Sequence, residues 1–105
     1  MEIFNSNLVN NIGINPVILH TTTATTVLLG CNVANLLHAD LPIDIWIDRA
    51  GVVVYLIKAG RVDANRNFEV IQSKTVLKIG DVLKASATVP NAFDITLSYI
   101  YGVVV

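Results

Sequence analysis

One residue in three of this chain is β-branched: 15 Val, 12 Ile and 8 Thr occur among 105 residues. Such side chains lose χ1 freedom in a helix and suit the pleated surface of a sheet. No window sustains the i, i+3, i+4, i+7 apolar spacing of a helix, so no long helix is expected. The length fits one domain, and residues 1–105 are predicted to form a single all-β unit.

Segments of strand character recur along the whole chain and are separated by short turns. With no crossover helices, this pattern predicts antiparallel pairing of seven to nine short strands in a β-sandwich, jelly-roll-like, with a barrel as the less favoured form. The predicted strands are 2–9, 17–22, 25–34, 43–48, 52–57, 67–72, 76–79, 82–88 and 94–105.

The clearest local signal is a hairpin formed by 43–48 and 52–57. In the first strand three isoleucines alternate with Asp44, Trp46 and Asp48, so the two sets lie on opposite faces. Gly51 follows Asp48-Arg49-Ala50 and supplies a residue that tolerates positive φ in the turn. Alternation along the later strands extends the expected core, whose marker residues are Ile45, Val54, Leu83 and Leu97.

Charge is scarce: only 14% of the residues are charged, against about 25% in an ordinary globular domain. We therefore expect part of the surface to be buried against other chains. Apolar residues at both ends are the predicted oligomer or capsid interface: Ile3, Phe4, Leu8, Val103, Val104 and Val105. Residues 1–9 form either an extended N-terminal arm that joins a neighbour or an ordinary first strand of the same sandwich.

Several other classes of protein lack support in the sequence. The longest strictly apolar run, 52–57, is far shorter than the roughly 20 residues of a spanning helix, and the N-terminus lacks signal-peptide features. We expect a soluble protein made in the cytoplasm. A net charge of −1 with scattered basic residues offers no footprint for nucleic acid.

No catalytic, cofactor or metal site is predicted. His20 and His38 lie 18 residues apart without neighbouring ligands, and they are interpreted as a strand-end and a loop histidine. Asp44 and Asp48 are roughly 13 Å apart along one strand, too far for a glycosidase carboxylate pair. Trp46 between them is either a sugar platform or, as we favour, a packed aromatic residue. Cys31 is expected to be a buried small hydrophobe.

An ordered set of motifs resembles small virion structural proteins of tailed bacteriophages, a group common in phages of cyanobacteria and other aquatic bacteria. The resemblance covers residues 17–104, and the apolar tail after Gly102 departs from it. Its elements are the Thr-rich stretch 21–27, the Cys-Asn-Val-Ala-Asn segment 31–35, the hairpin 43–57, the Leu-x-x-Gly-Asp-x-Leu segment within 77–85, and the closing strand 93–99.

The resemblance implies an architectural role in the virion without catalytic residues. It points first to an oligomeric capsid decoration (cement) protein, with a trimer as the expected state, that binds the major capsid protein and stabilises the head. A tail, neck or baseplate component is the alternative within this group. A carbohydrate-binding module for host-surface recognition is the alternative from another class. No membrane or nucleic-acid partner is expected.

Overall fold

The computed structural model describes residues 3–71 and 74–102, in which strands are the only regular secondary structure. Nine strands follow one another through short turns, as the density of β-branched residues predicts. Their bounds are β1 Ile3–Ile12, β2 Val17–Thr21, β3 Thr26–Asn35, β4 Leu41–Arg49, β5 Val52–Val62, β6 Asn67–Glu69, β7 Thr75–Leu77, β8 Val82–Ala87 and β9 Phe93–Tyr101.

The strands form two antiparallel sheets that pack face to face, so the predicted β-sandwich is confirmed. The five-stranded sheet has the order β1-β9-β3-β6, with β7 also paired to β3, and the four-stranded sheet has the order β2-β8-β4-β5. Successive strands cross repeatedly between the sheets, which is the jelly-roll arrangement.

Alternating side chains from both sheets fill the space between them. Ile45, Leu83 and Leu97 are fully buried, as predicted from the alternation of their strands. The core also contains Phe93 and Ile12, which are fully buried and pair with each other across β9 and β1. Burial of a continuous apolar layer of this kind is the main stabilising contribution in a domain of this size.

The prediction that Val54 is buried is wrong: 52% of this residue is exposed. Val54 pairs with Ile47 and so lies on the core-facing side of its sheet. However, β5 is the last strand of that sheet, and the strands beyond β3 in the facing sheet, β6 and β7, have only three residues each. The first half of β5 therefore extends past the layer that could cover it.

Two predicted strand limits at the chain ends also differ from the structure. Residues 3–9 and 12 pair with β9, so the segment is a strand of the same sandwich, one of the two possibilities. The closing strand ends at Tyr101 instead of residue 105. Val103, Val104 and Val105 lie outside the described residues, as does residue 72, the last residue of the predicted strand 67–72.

Candidate functional site

The outer edges of the two sheets differ in how they are protected from pairing with another chain. Native edges are commonly blocked by short strands, proline, bulges or charged residues. The edge strand β2 has five residues, follows Pro16 and contains a bulge, and β6 and β7 are still shorter. The strands β1, with ten residues, and β5, with eleven, are much longer. Each also contains register shifts, after Val9 in β1 and between Tyr55 and Gly60 in β5, but both present one side without a partner in the described chain.

The β1 edge is uncharged and exposes two large apolar side chains on its outer face, Phe4 and Leu8. No charged residue or proline occurs in Ile3–Ile12. Phe4 and Leu8 are 75% and 77% exposed, and Ile3 is also exposed. The structure therefore brings together the three N-terminal residues that the sequence predicts as interface, on one strand at the border of the sandwich.

An apolar row that the sequence does not reveal continues from Phe4 across the outer face of the five-stranded sheet. Phe4 pairs with Ile100 of β9, Ile100 pairs with Val27 of β3, and Val27 pairs with Val76 of β7. Directly paired residues lie on the same face of a sheet. Because these four residues come from distant parts of the chain, only the strand register places them side by side.

The second unprotected edge is the first half of β5. Val52, Val53, Val54 and Tyr55 are all exposed, and residues 52–57 include no charge. On the outer face, the Tyr55 ring packs against Trp46 with centroids 5.9 Å apart, and the Lys58 ammonium lies 4.6 Å from the Tyr55 ring centroid. Trp46 is thus part of an aromatic pair on the β4–β5 hairpin.

The acidic residues around Trp46 hold the hairpin together. Asp44 Oδ1 accepts a hydrogen bond from the Ala59 backbone N–H at 2.6 Å. Asp48 Oδ1 accepts one from the Gly51 N–H, and its Oδ2 accepts one from Lys84 Nζ. Gly51 has φ of 86°, the positive value predicted for this turn. These carboxylates are engaged in local structure.

Two further findings apply to residues 3–71 and 74–102 alone. No group of three or more His, Cys, Asp or Glu side chains in them is arranged to hold a metal ion. They also contain no helix with the length and hydrophobicity to cross a membrane.

Cys31 is expected to be unreactive in the native protein. The side chain is fully buried in β3, and burial, reinforced by the negative charge of Glu69, raises the pKa of the thiol to about 12. The thiolate is the reactive form. A colorimetric thiol reagent at neutral pH should therefore detect almost no thiol in the folded protein and one per chain in denaturant. Rapid labelling of the folded protein would contradict this burial.

The comparisons with known proteins identify a shared fold but no family for this chain. No protein-family model matches the sequence, and no curated protein matches it. Among solved structures, the chain is similar to a subunit of the Bacillus endospore appendages, described as a novel family of disulfide-linked pili. The TM-score is 0.51 at 10% sequence identity, and the match covers 95% of this chain and 87% of that one. A likeness at this identity shows a shared fold.

Proposed function

We propose that this chain is a non-enzymatic structural subunit that assembles into a larger particle through its two unprotected strand edges. In its most specific form the proposal is an oligomeric capsid decoration protein of a tailed phage, as the motif resemblance implies. The observation that carries it is the pair of long, uncharged edges, β1 and the first half of β5. Such edges have unpaired backbone N–H and C=O groups that another strand can satisfy.

The position of the two edges favours assembly of many copies over a closed pair. β1 packs beside β2 and β8 of the facing sheet, whereas β5 packs beside β3, so the edges lie on opposite sides of the sandwich. A contact between β1 of one copy and β5 of the next joins two different surfaces. Such a heterologous contact closes into a ring or continues as a filament. A ring of three copies is the form expected of a decoration trimer.

The filament is the second candidate function, and the likeness to the endospore appendage subunit favours it. Those appendages are described as disulfide-linked. The one cysteine of this chain, Cys31, is buried inside the sandwich. A filament of this protein would therefore be held together by strand pairing and apolar contacts, without a disulfide from the folded subunit.

Sedimentation of the purified protein at micromolar concentration tests the assembly. We expect the wild type to sediment as a species larger than the 11.4 kDa chain. Leu8→Lys and Val53→Lys, each adding a charge to one edge, should shift the population towards the monomer. Ile79→Lys is the matched control, because Ile79 is 70% exposed in the turn before β8 and belongs to neither edge.

Circular dichroism of each variant establishes that the fold is retained. A wild type that sediments only at 11.4 kDa would overturn the proposal, as would edge variants that assemble like the Ile79→Lys control.

The copy number in purified phage, measured on a quantitative gel, then distinguishes a position on the capsid from a position in the tail, neck or baseplate. Many copies per particle support a capsid position, few support the tail, neck or baseplate, and filaments of pure protein in electron micrographs support the second candidate.

A further inference from the structure

One asparagine of β1 connects this edge strand to the facing sheet. Asn7 pairs with the buried Leu97 and therefore lies on the core-facing side of β1. Its Nδ2 donates a hydrogen bond to the Leu19 carbonyl of β2 at 3.1 Å, and its Oδ1 accepts one from the Tyr99 hydroxyl of β9 at 3.1 Å. Because β1 and β2 belong to different sheets, the bond to Leu19 holds the two sheets together at this edge.

A bulge in β2 turns His20 towards the same asparagine. Consecutive residues of a regular strand point to opposite faces, and Leu19 is buried in the core. The pairing between β2 and β8 shifts between Ile18 and His20, so His20 also faces inward. Its ring packs against Tyr99, with centroids 4.6 Å apart. Bulges commonly redirect a side chain in this manner.

The hydrogen bonds of Asn7 determine which ring nitrogen of His20 bears the proton. The Leu19 carbonyl can only accept, so the atom of Asn7 that faces it is the donor Nδ2. The same Nδ2 lies 3.2 Å from His20 Nδ1, which must then be the second acceptor. The neutral ring therefore carries its hydrogen on Nε2, an atom that is buried and has no hydrogen-bond partner in the structure.

A second proton on the ring would go to Nδ1 and remove this acceptor. The new Nδ1–H would face Asn7 Nδ2, and two donors do not bond to each other. Turning the Asn7 amide over would instead place Oδ1 against the Leu19 carbonyl, where two acceptors meet. A protonated ring is thus incompatible with one of the two bonds of Nδ2 in either orientation. Its Nε2–H remains buried without an acceptor, so the cation gains no bond in exchange.

The surroundings of His20 supply no negative charge to compensate such a cation. In the part of the chain that the structure describes, no charged side chain lines the groove beside the ring. The titratable residues there are Tyr99 and Tyr101, and a phenol is neutral below about pH 9. β1, β2 and β3 contain no charged residue. Each of the other two neighbouring strands contains one, and both are engaged elsewhere: Lys84 of β8 with Asp48, and Asp94 of β9 with the Asn11 N–H.

We propose that Asn7 and His20 form an acid-sensitive latch, in which protonation of His20 Nδ1 releases β1 from the facing strand β2. The consequence for assembly rests on the proposed function, in which β1 is one of the two edges that join copies. A β1 strand that has lost its contact with the facing sheet presents this edge less rigidly. Acid therefore weakens the assembly through a residue that is not itself part of the interface.

The pH range of the latch follows from the direction in which the pKa of His20 changes on folding. Burial lowers this pKa, so the unfolded chain, with an ordinary value of about 6.5, takes up the proton before the folded chain does as the pH falls. The contribution of the neutral ring is fully present above about pH 6.5 and is lost as the pH falls through the folded pKa.

NMR titration tests the latch directly. His20 and His38 are the two histidines of the chain, so His38→Gln leaves a single ring to follow. If the wild type assembles, adding Val53→Lys supplies the monomer, since β5 lies at the opposite end of the sheet from β2. The His20 ring protons should titrate at a lower pH in the folded protein than in denaturant, and the Asn7 side-chain amide signals should shift with the same midpoint. An Asn7 amide that does not follow the ring would overturn the latch, as would a ring that titrates no lower than in denaturant.

Sedimentation from about pH 8 to about pH 5, a range above the ordinary pKa values of carboxyl groups, tests the consequence for assembly. The dissociation constant of the wild type should rise about three-fold or more towards acid, the equivalent of one lost hydrogen bond. His20→Phe keeps an aromatic ring against Tyr99 but cannot be protonated, so its dissociation constant should stay constant.

An equal acid effect in the wild type and in His20→Phe would assign the pH dependence to another group and overturn the role of the latch in assembly. A wild type whose assembly does not change over this range would do the same. A wild type that is monomeric at every pH would overturn the proposed assembly itself, and the ring and amide titrations on that monomer would still decide whether the latch exists.

Discussion

Replacing Leu97 with alanine is expected to lower the free energy of unfolding by about 2–5 kcal/mol. Leu97 is fully buried in the middle of β9, where it pairs with Asn7 of β1 on one side and Cys31 of β3 on the other. Strands on both sides and the facing sheet restrict collapse of the cavity. The loss would be a large share of the roughly 5–15 kcal/mol that stabilises a typical domain. Chemical denaturation of dissociated protein measures it.

Leu8→Ala is the matched control, because it removes the same atoms one register position away. Leu8 pairs with Thr96, next to Leu97 in β9, but 77% of Leu8 is exposed. Its replacement should change monomer stability by less than about 0.5 kcal/mol and weaken assembly. A Leu97→Ala effect below about 0.5 kcal/mol would mean that β9 presents its other face to the core.

The facing of long strands could be predicted from the sequence because side-chain direction alternates locally. In 43–48 the isoleucines are buried, while the side chains between them are partly exposed. In β9, Ile95, Leu97 and Tyr99 are buried, as their spacing predicts. The alternation of buried and exposed residues depends only on neighbouring residues in one strand. It can therefore be predicted without knowing which strands pair with it.

Features that depend on strand order could not be predicted in this way. Val54 has the correct face for burial, but its exposure follows from the edge position of β5 and the short strands opposite. The ends of β6 and β7 have the same origin, since each pairs with only three residues of β3. Local hydrophobicity gives no information on where a partner strand stops.

The candidate surfaces also differ in whether local sequence alone could predict them. Exposed apolar residues at Ile3, Phe4 and Leu8 could be predicted from composition and from their place near the N-terminus. The row from Phe4 to Val76 could not, because it exists only through three strand pairings. Likewise, the sequence suggests an ordinary strand-end residue at His20, and the bulge that turns its ring towards Tyr99 is visible only in the pairing of β2 with β8.

The Leu-x-x-Gly-Asp-x-Leu segment illustrates a motif whose sequence interpretation was correct but incomplete. Gly80 has φ of 94°, and Asp81 Oδ2 accepts a hydrogen bond from the Lys78 N–H at 2.8 Å, so the segment forms the expected turn. The sequence does not indicate that Asp81 also receives two hydrogen bonds from Arg49, at the far end of β4. That long-range pair connects the turn to the β4–β5 hairpin.

Asp81→Ala is therefore expected to have the second large effect on stability. The Asp81 carboxylate is 2% exposed and accepts hydrogen bonds from Arg49 Nε at 2.9 Å and Nη2 at 2.7 Å. Alanine would remove these bonds and leave the Lys78 N–H without its acceptor. Arg49 is 45% exposed and can be rehydrated, so we expect a loss of about 1–3 kcal/mol in chemical denaturation. Asp63→Ala, which breaks the exposed contact with Arg61, should cost less than about 1 kcal/mol.

The effect of Asp81→Ala should also depend on pH in a defined direction. The hydrogen bonds from Arg49 are the main cause that lowers the pKa of Asp81, followed by the bond from Lys78 among the favourable contacts. A carboxyl whose pKa is lower in the folded state than its unfolded value of about 3.9 stabilises the fold above that value. This contribution decreases as the pH falls through the folded pKa. The stability difference between wild type and Asp81→Ala should thus be largest near neutral pH and shrink in acid below about pH 4. A difference that stays constant into acid would show that the lost stability arises from packing of the side chain instead of its charge.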